Sequence, residues 1–234
     1  MQTYDVIVIG GGPGGTTAAR ILAQAGKKIA LIEDSHWGGT CLNAGCIPTK
    51  MLLGATAPQG LLHAQERVRI AKGSIQVDFT ALQNRVTRFT KGTSQTLAKS
   101  LAALGIDLFE GRGVCTGQNE GQTQVQVTTA QGPVSLAGTK IILACGTASA
   151  SFPGLVPDHQ NVLDSTDLLR ITAIPESLIV VGAGAIGLEM ADFFSTMGST
   201  VTIVEAAAHI APTEDADIAK EMLRALTKKG ITCH

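Results

Sequence analysis

Two copies of one pattern constrain this 234-residue chain more than any other feature it has. A β-branched run, Val6-Ile7-Val8-Ile9, gives way to Gly10-Gly11-Gly12-Pro13-Gly14-Gly15, and Thr16 to Gln24 then carries helical spacing. The same order returns in Leu178-Ile179-Val180-Val181, Gly182-Ala183-Gly184-Ala185-Ile186-Gly187 and a helical stretch reaching Met197. In both copies a further strand follows and ends on an acidic residue. Lys28 to Ile32 runs into Glu33, 23 residues after Gly10, and Val201 to Val204 runs into Glu205, 23 residues after Gly182. A single glycine-rich turn is weak information; two in register with strand, helix and carboxylate describe a repeated βαβ unit. Its strands are expected to be parallel and its crossovers right-handed.

A glycine turn between strand and helix lets backbone approach a pyrophosphate. The free N–H groups and the dipole of the helix N-terminus then stabilise the negative charge. Gly10, Gly12, Gly14 and Gly15 are the candidate phosphate-facing residues of the first copy, and Gly182, Gly184 and Gly187 those of the second. Glu33 and Glu205 stand where a carboxylate can accept hydrogen bonds from an adenosine ribose. A 2′-phosphate would meet negative charge there, and no Arg occurs in the ten residues after Glu205, so NAD is expected over NADP at the second site.

Between the copies the pattern changes. Phe79 to Leu104 has long helical spacing, and from Ile106 to Ala144 short strands alternate with turns at Gly111, Gly113, Gly117, Gly121, Gly132 and Gly138, which reads as an antiparallel meander. Such turns account for much of the 27 glycines, a share well above the roughly 7% that is usual. Ile141-Ile142-Leu143-Ala144 closes the region as a buried strand, and a segment with Pro153, Pro157 and Pro175 leads to the second copy. The expected fold class is α/β. A Rossmann-like dinucleotide-binding domain over 1–150, a parallel sheet plus the meander, precedes a second Rossmann-like domain over 151–234. The latter holds a helix from Asp215 to Lys229 and is expected to be incomplete, because the sequence ends where its third strand begins.

A net charge of −1, no basic run and 3% aromatic residues argue against nucleic-acid binding and against attraction to anionic membranes. The longest apolar stretch, Leu178 to Leu188, falls short of the roughly 18 residues of a membrane span. The N-terminus enters a strand at once, without a signal or transit pattern, so a cytoplasmic location is expected.

Directly after the first copy stands Gly38-Gly39-Thr40-Cys41-Leu42-Asn43-Ala44-Gly45-Cys46-Ile47-Pro48-Thr49-Lys50. In an ideal helix residues five apart have Cα atoms roughly 8–9 Å apart, beyond the roughly 7 Å that a disulfide spans, so bridging Cys41 to Cys46 requires irregular backbone. Gly45 and Pro48 can supply it. A stabilising disulfide is uncommon in a cytosolic protein, and a zinc site wants four ligands where this stretch offers two cysteines and His36; no metal is expected. A cytosolic disulfide is more often catalytic, and one beside a flavin can exchange electrons with it. Cys115, Cys145 and Cys233 stand apart and read as incidental thiols.

The twin units together with this cysteine motif resemble the pyridine nucleotide–disulfide oxidoreductases, most strongly their dihydrolipoamide dehydrogenase branch, over essentially the whole chain. The resemblance implies FAD on the first unit, NAD on the second and a redox disulfide between Cys41 and Cys46. Cys41 would meet the substrate and Cys46 the flavin. Lys50 resembles the family lysine beside the flavin, Glu189 its carboxylate partner, and Gly39 and Thr40 belong to the flavin-binding stretch. Gly113 resembles a position whose backbone meets the adenine. Ala144 and Gly146 resemble the strand end near the flavin, with Cys145 where Thr is usual. The implied activity passes electrons between a dithiol, expected to be dihydrolipoamide or a lipoyl group, the disulfide, FAD and NAD. Alternatives are a related disulfide or mercuric reductase, or a nucleotide-binding module without turnover. Family members are homodimers about twice this length. Their dimerisation domain and its His–Glu general base match nothing here, and none of the five histidines fits that role.

Overall fold

The computed structural model describes residues 1–152 and 154–234. They form two compact units, one comprising Met1–Ile47 and Arg88–Val156, the other Pro48–Thr87 and Pro157–His234. This division differs from a boundary at residue 150 chiefly in giving 48–87 to the second unit. Leu52, Leu82 and Val86 from that segment pack in one core with Phe193 and Phe194, which is the physical reason.

The first unit opens with β1 (Gln2–Ile9), α1 (Pro13–Gln24) and β2 (Ile29–Glu33). Helix α1 begins at Pro13, three residues earlier than the spacing indicates; proline is favoured in a first turn because its missing N–H would have no partner there. The short α2 (Gly39–Ala44) follows, then α3 (Cys46–Arg67) and α4 (Phe79–Ala102). The meander is β3 (Asp107–Asn119), β4 (Gln122–Thr129) and β5 (Gly132–Leu143).

β1 pairs in parallel with β2 on one side and β5 on the other, and β2 pairs in parallel with β3. The far halves of β3 and β5 pair antiparallel with β4, so the strand pairings close into a ring. Because side chains alternate along a strand, β1 sends Val6 and Val8 to a core with Ala19, Leu31, Leu101 and Trp37. It sends Ile7 and Ile9 to a second core with Ile32, Val125, Val127 and Leu136. Both faces are covered, which explains why β1 reads as a continuous apolar run instead of an alternating one.

In the second unit α5 (Ser165–Leu168) precedes β6 (Ser177–Val181), α6 (Ala185–Thr196), β7 (Thr200–Val204), α7 (Ala216–Lys228) and β8 (Thr232–Cys233). The three strands are parallel in the order β6-β7-β8, so the expected third strand does begin here, with Cys233 beside Ile203. Fully buried Phe193 and Phe194 meet edge to face with ring centroids 4.9 Å apart at the centre of this core. Among the described residues no helix is long and apolar enough to cross a membrane.

Candidate active site

The three glycines of each turn have three different jobs. Gly10 has φ +113°, and a Cβ there would lie 2.1 Å from the Ala144 carbonyl oxygen. A Cβ on Gly15 would lie 1.8 Å from the Gly10 carbonyl oxygen, so this residue lets α1 pack on the turn. Gly12 is the exception: a Cβ would find no atom closer than 3.8 Å, and at Gly14 none within 4 Å. The second unit repeats the division, with φ +99° at Gly182, open space at Gly184 and the Gly182 oxygen 2.1 Å from a Cβ on Gly187. Strand-to-helix packing requires the third glycine, whereas the protein's own packing does not require the middle one. An open middle position is where a pyrophosphate can approach backbone, so both turns fit a dinucleotide.

Both acidic residues brace the turns they follow. Glu33 Oε2 accepts from the Gly11 N–H at 2.6 Å and its Oε1 from the Ser35 N–H at 2.9 Å. Glu205 Oε2 accepts from Ala183 N–H at 2.7 Å and its Oε1 from Ala207 N–H at 2.8 Å. The Ala183 N–H, then that of Ala207, holds the Glu205 carboxyl below its ordinary pKa, so it stays ionised. Sequence spacing placed these carboxylates for a ribose but gave no sign of the brace, which depends on the return path of the chain after each second strand.

The cysteine loop starts against the first turn. Gly38 N–H donates to the Gly11 carbonyl at 2.8 Å, and a Cβ on Gly39, where φ is +58°, would lie 2.7 Å from the Gly12 Cα. Gly39 and Thr40 therefore open α2 beside the open glycine of the cradle. Helix α2 ends at Gly45, whose φ of −152° and ψ of −112° break the helix before α3 starts at Cys46. This irregularity is what brings two cysteines five residues apart together. They are free thiols here, Cys41 half-buried and Cys46 exposed. Their mutual hydrogen bond, followed by burial, pushes the Cys41 thiol above its ordinary pKa.

Lys50 lies one helical turn beyond Cys46 in α3, and its ammonium is paired with the Glu189 carboxylate of α6. Ala144 N–H donates to Ile9 carbonyl at 2.7 Å, which seats the end of β5 on the first turn, and Gly146 follows with φ +68° and open space around it. Gly113 has a packing role as well, since a Cβ would lie 3.1 Å from Ile32. Among the described residues no three His, Cys, Asp or Glu side chains converge as metal ligands would.

This combination of turns, carboxylates and paired thiols agrees with comparison to known proteins. A family model described as pyridine nucleotide-disulphide oxidoreductase matches residues 4–234. The chain belongs to the pyridine nucleotide-disulphide oxidoreductase family. Dihydrolipoyl dehydrogenase of Chlorobaculum tepidum is 38% identical over 232 residues, covering 99% of this chain and 49% of that protein. The Bacillus subtilis enzyme of the same name is 35% identical, with 97% and 49% covered. Among solved structures, the HOCl-induced flavoprotein disulfide reductase RclA from Escherichia coli is 32% identical with a TM-score of 0.80, covering 99% of this chain and 48% of that one. LpdA from Mycobacterium tuberculosis superposes with a TM-score of 0.87 over 100% of this chain and 51% of that one at 24% identity, a likeness of fold. The chain thus spans about half the length of the relatives it matches. As a member of this family it has a Rossmann-like fold with a mixed parallel and antiparallel sheet, and its sequence is dihydrolipoyl dehydrogenase-like.

Proposed function

We propose that the chain carries the FAD and dithiol half-site of a dihydrolipoamide dehydrogenase-like flavoprotein, with a second nucleotide site for NAD. The observation that supports this best is the placement of the Cys41–Cys46 pair on a loop whose first residues abut Gly12, the open glycine of the first turn. Gly10, Gly12, Gly14 and Gly15 with Glu33 would hold the adenine dinucleotide end of FAD. Gly39, Thr40, Gly113, Ala144 and Gly146 complete the assignment that family resemblance implies. FAD, when bound, supplies a two-electron acceptor beside the thiols.

In the oxidised protein Cys41 and Cys46 form a disulfide. A substrate thiolate attacks Cys41 Sγ, the Cys41–Cys46 bond breaks, and Cys46 leaves as a thiolate holding the electron pair. The second substrate thiol, once deprotonated, attacks its partner sulfur in the mixed disulfide and releases Cys41 as a thiol, taking up the proton. The substrate is then oxidised to its disulfide and the protein reduced to the dithiol. The raised Cys41 pKa suits it to keep that proton. Lys50, held by Glu189, supplies positive charge one turn from Cys46.

At the second site Gly182, Gly184 and Gly187 would face a pyrophosphate and ionised Glu205 a ribose, which favours NAD over NADP. The proposed substrate is a small dithiol or lipoyl group.

The test is the visible spectrum of the purified chain with FAD, before and after anaerobic reduction by a dithiol. A long-wavelength charge-transfer band that Cys46→Ser abolishes and Cys41→Ser preserves supports the assignment. Bound flavin with identical spectra in both variants would overturn the thiol roles, and a folded chain that binds no FAD would overturn the half-site.

A further inference from the structure

Helix α2 has the task of presenting Cys41, yet it has little to hold it in place. It spans six residues, none of the described ones is buried, and its N-cap is Gly38, which has no side chain to cap it. Its first two backbone positions, Gly38 and Gly39, are left-handed, with φ +96° and +58°. A segment this short gains almost nothing from helix propensity, so its position depends on tertiary bonds.

Asn43 supplies them. Its Nδ2 donates to the Gly39 carbonyl at 2.9 Å and to the Trp37 carbonyl at 3.1 Å; both partners are acceptors, which fixes the orientation of the amide. The Trp37 carbonyl is itself anchored, because buried Ser94 of α4 donates to it at 2.8 Å. Trp37 is buried and its Nε1 donates to Glu110 Oε1 of β3 at 3.2 Å. A chain of bonds therefore runs from the sheet through Trp37 to Asn43, two residues after Cys41 and three before Cys46.

We infer that Asn43 is the positioning residue of the cysteine pair: by tying α2 to the Trp37 carbonyl it sets where Cys41 Sγ stands relative to Cys46 Sγ, and so how readily the two form a disulfide. The inference rests on the redox reading of Cys41 and Cys46. A disulfide needs Cβ atoms roughly 3.8 Å apart and a narrow dihedral range, so freeing α2 lowers the effective concentration of one thiol at the other. Both Asn43 side-chain bonds go to backbone carbonyls, so Asn43 acts through backbone.

The experiment equilibrates the chain in glutathione buffers: the two thiols and oxidised glutathione give the protein disulfide and two reduced glutathione. Alkylation and peptide mass read the fraction of Cys41–Cys46 disulfide. Asn43→Ala, and Asn43→Asp, which keeps the shape but faces two carbonyls with an acceptor, are each expected to lower the equilibrium constant about tenfold, a potential about 30 mV less reducing. Ser94→Ala should cost thermal stability and leave that constant within about twofold, since Asn43 keeps its own bonds. Circular dichroism and the fluorescence of the single tryptophan, Trp37, check folding, so that if one Asn43 variant fails to fold the other decides. Equilibrium constants within twofold of wild type for a folded Asn43 variant overturn the inference. A wild-type chain that forms no Cys41–Cys46 disulfide in any buffer overturns instead the redox reading beneath it.

Discussion

Glu205 Oε2 accepts a hydrogen bond from the Ala183 backbone at 2.7 Å, and in the first unit Glu33 Oε2 accepts from Gly11 at 2.6 Å. In both units the carboxylate at the end of the second strand closes back on the second residue of the glycine turn. On the proposed assignment, nucleotide recognition and turn rigidity thus depend on the same side chain.

Replacing Glu205 should separate its two roles. On the proposed assignment Glu205→Gln removes the charge that would repel a 2′-phosphate, and the expected result is an NADP-to-NAD affinity ratio raised about tenfold, read by equilibrium dialysis. The pH dependence follows from the backbone N–H groups that lower the Glu205 pKa from its ordinary 4.5. Its folded value lies below its unfolded one, so its stabilisation is fully present above the unfolded pKa and is lost as pH falls through the folded pKa. Acid unfolding of wild type below pH 4.5 should therefore be steeper than that of Glu205→Gln. Glu205 is only half-buried, so water screens the carboxylate and the difference is small. Equal slopes would contradict the brace.

Alanine at two glycines of the first turn should give opposite phenotypes. Gly10→Ala drives a Cβ into the Ala144 carbonyl at 2.1 Å in a left-handed conformation, and a loss of about 3 kcal/mol or more in denaturant unfolding is expected. Gly12→Ala meets nothing closer than 3.8 Å. It should unfold within about 1 kcal/mol of wild type yet bind FAD at least about tenfold more weakly, because its methyl would enter the space proposed for the pyrophosphate.

Much of this was legible in the sequence because the glycine turns, paired strands and meander depend on local pattern. Continuous apolar runs ended at glycines, and the pattern at Gly10 recurred at Gly182. The placement of 48–87 was not legible, since nothing local says that Leu52 and Val86 join Phe193. The Asn43 and Ser94 bonds to the Trp37 carbonyl were hidden for the same reason: they join residues whose proximity comes only from folding. The juxtaposition of Cys41 and Cys46 was half legible, with Gly45 marking a break but not its direction.

Lys50 and Glu189 form an ion pair whose side chains remain 60% and 33% exposed. Water screens such a pair, so a double-mutant cycle with Lys50→Met and Glu189→Gln should give a coupling of about 0–1 kcal/mol in unfolding free energy. If Lys50 serves the thiol–flavin site, Lys50→Met should nevertheless weaken the charge-transfer band of the reduced FAD-bound chain. A large stability coupling with an unchanged band would assign the pair to folding alone.

The internal repeat also exposes a difference between its copies. Ile7, Ile9 and Ile32 face the meander and are 0%, 8% and 1% exposed, whereas the residues at the same places in the second copy, Ile179, Val181 and Val204, are 69%, 46% and 41% exposed. Val181 and Val204 are register neighbours on one face, with Ile179 two residues along the same strand, so the three make a continuous apolar surface. Ile7→Ala should cost about 2–5 kcal/mol, because it empties a packed core, and Ile179→Ala only about 0.5 kcal/mol or less. A patch of this kind binds environment-sensitive apolar dyes. The triple variant Ile179→Ser, Val181→Ser, Val204→Ser should keep the melting temperature within a few degrees while cutting dye fluorescence by roughly half. If the triple variant unfolds, this face is packed in solution, and the second copy then covers its sheet as the first does.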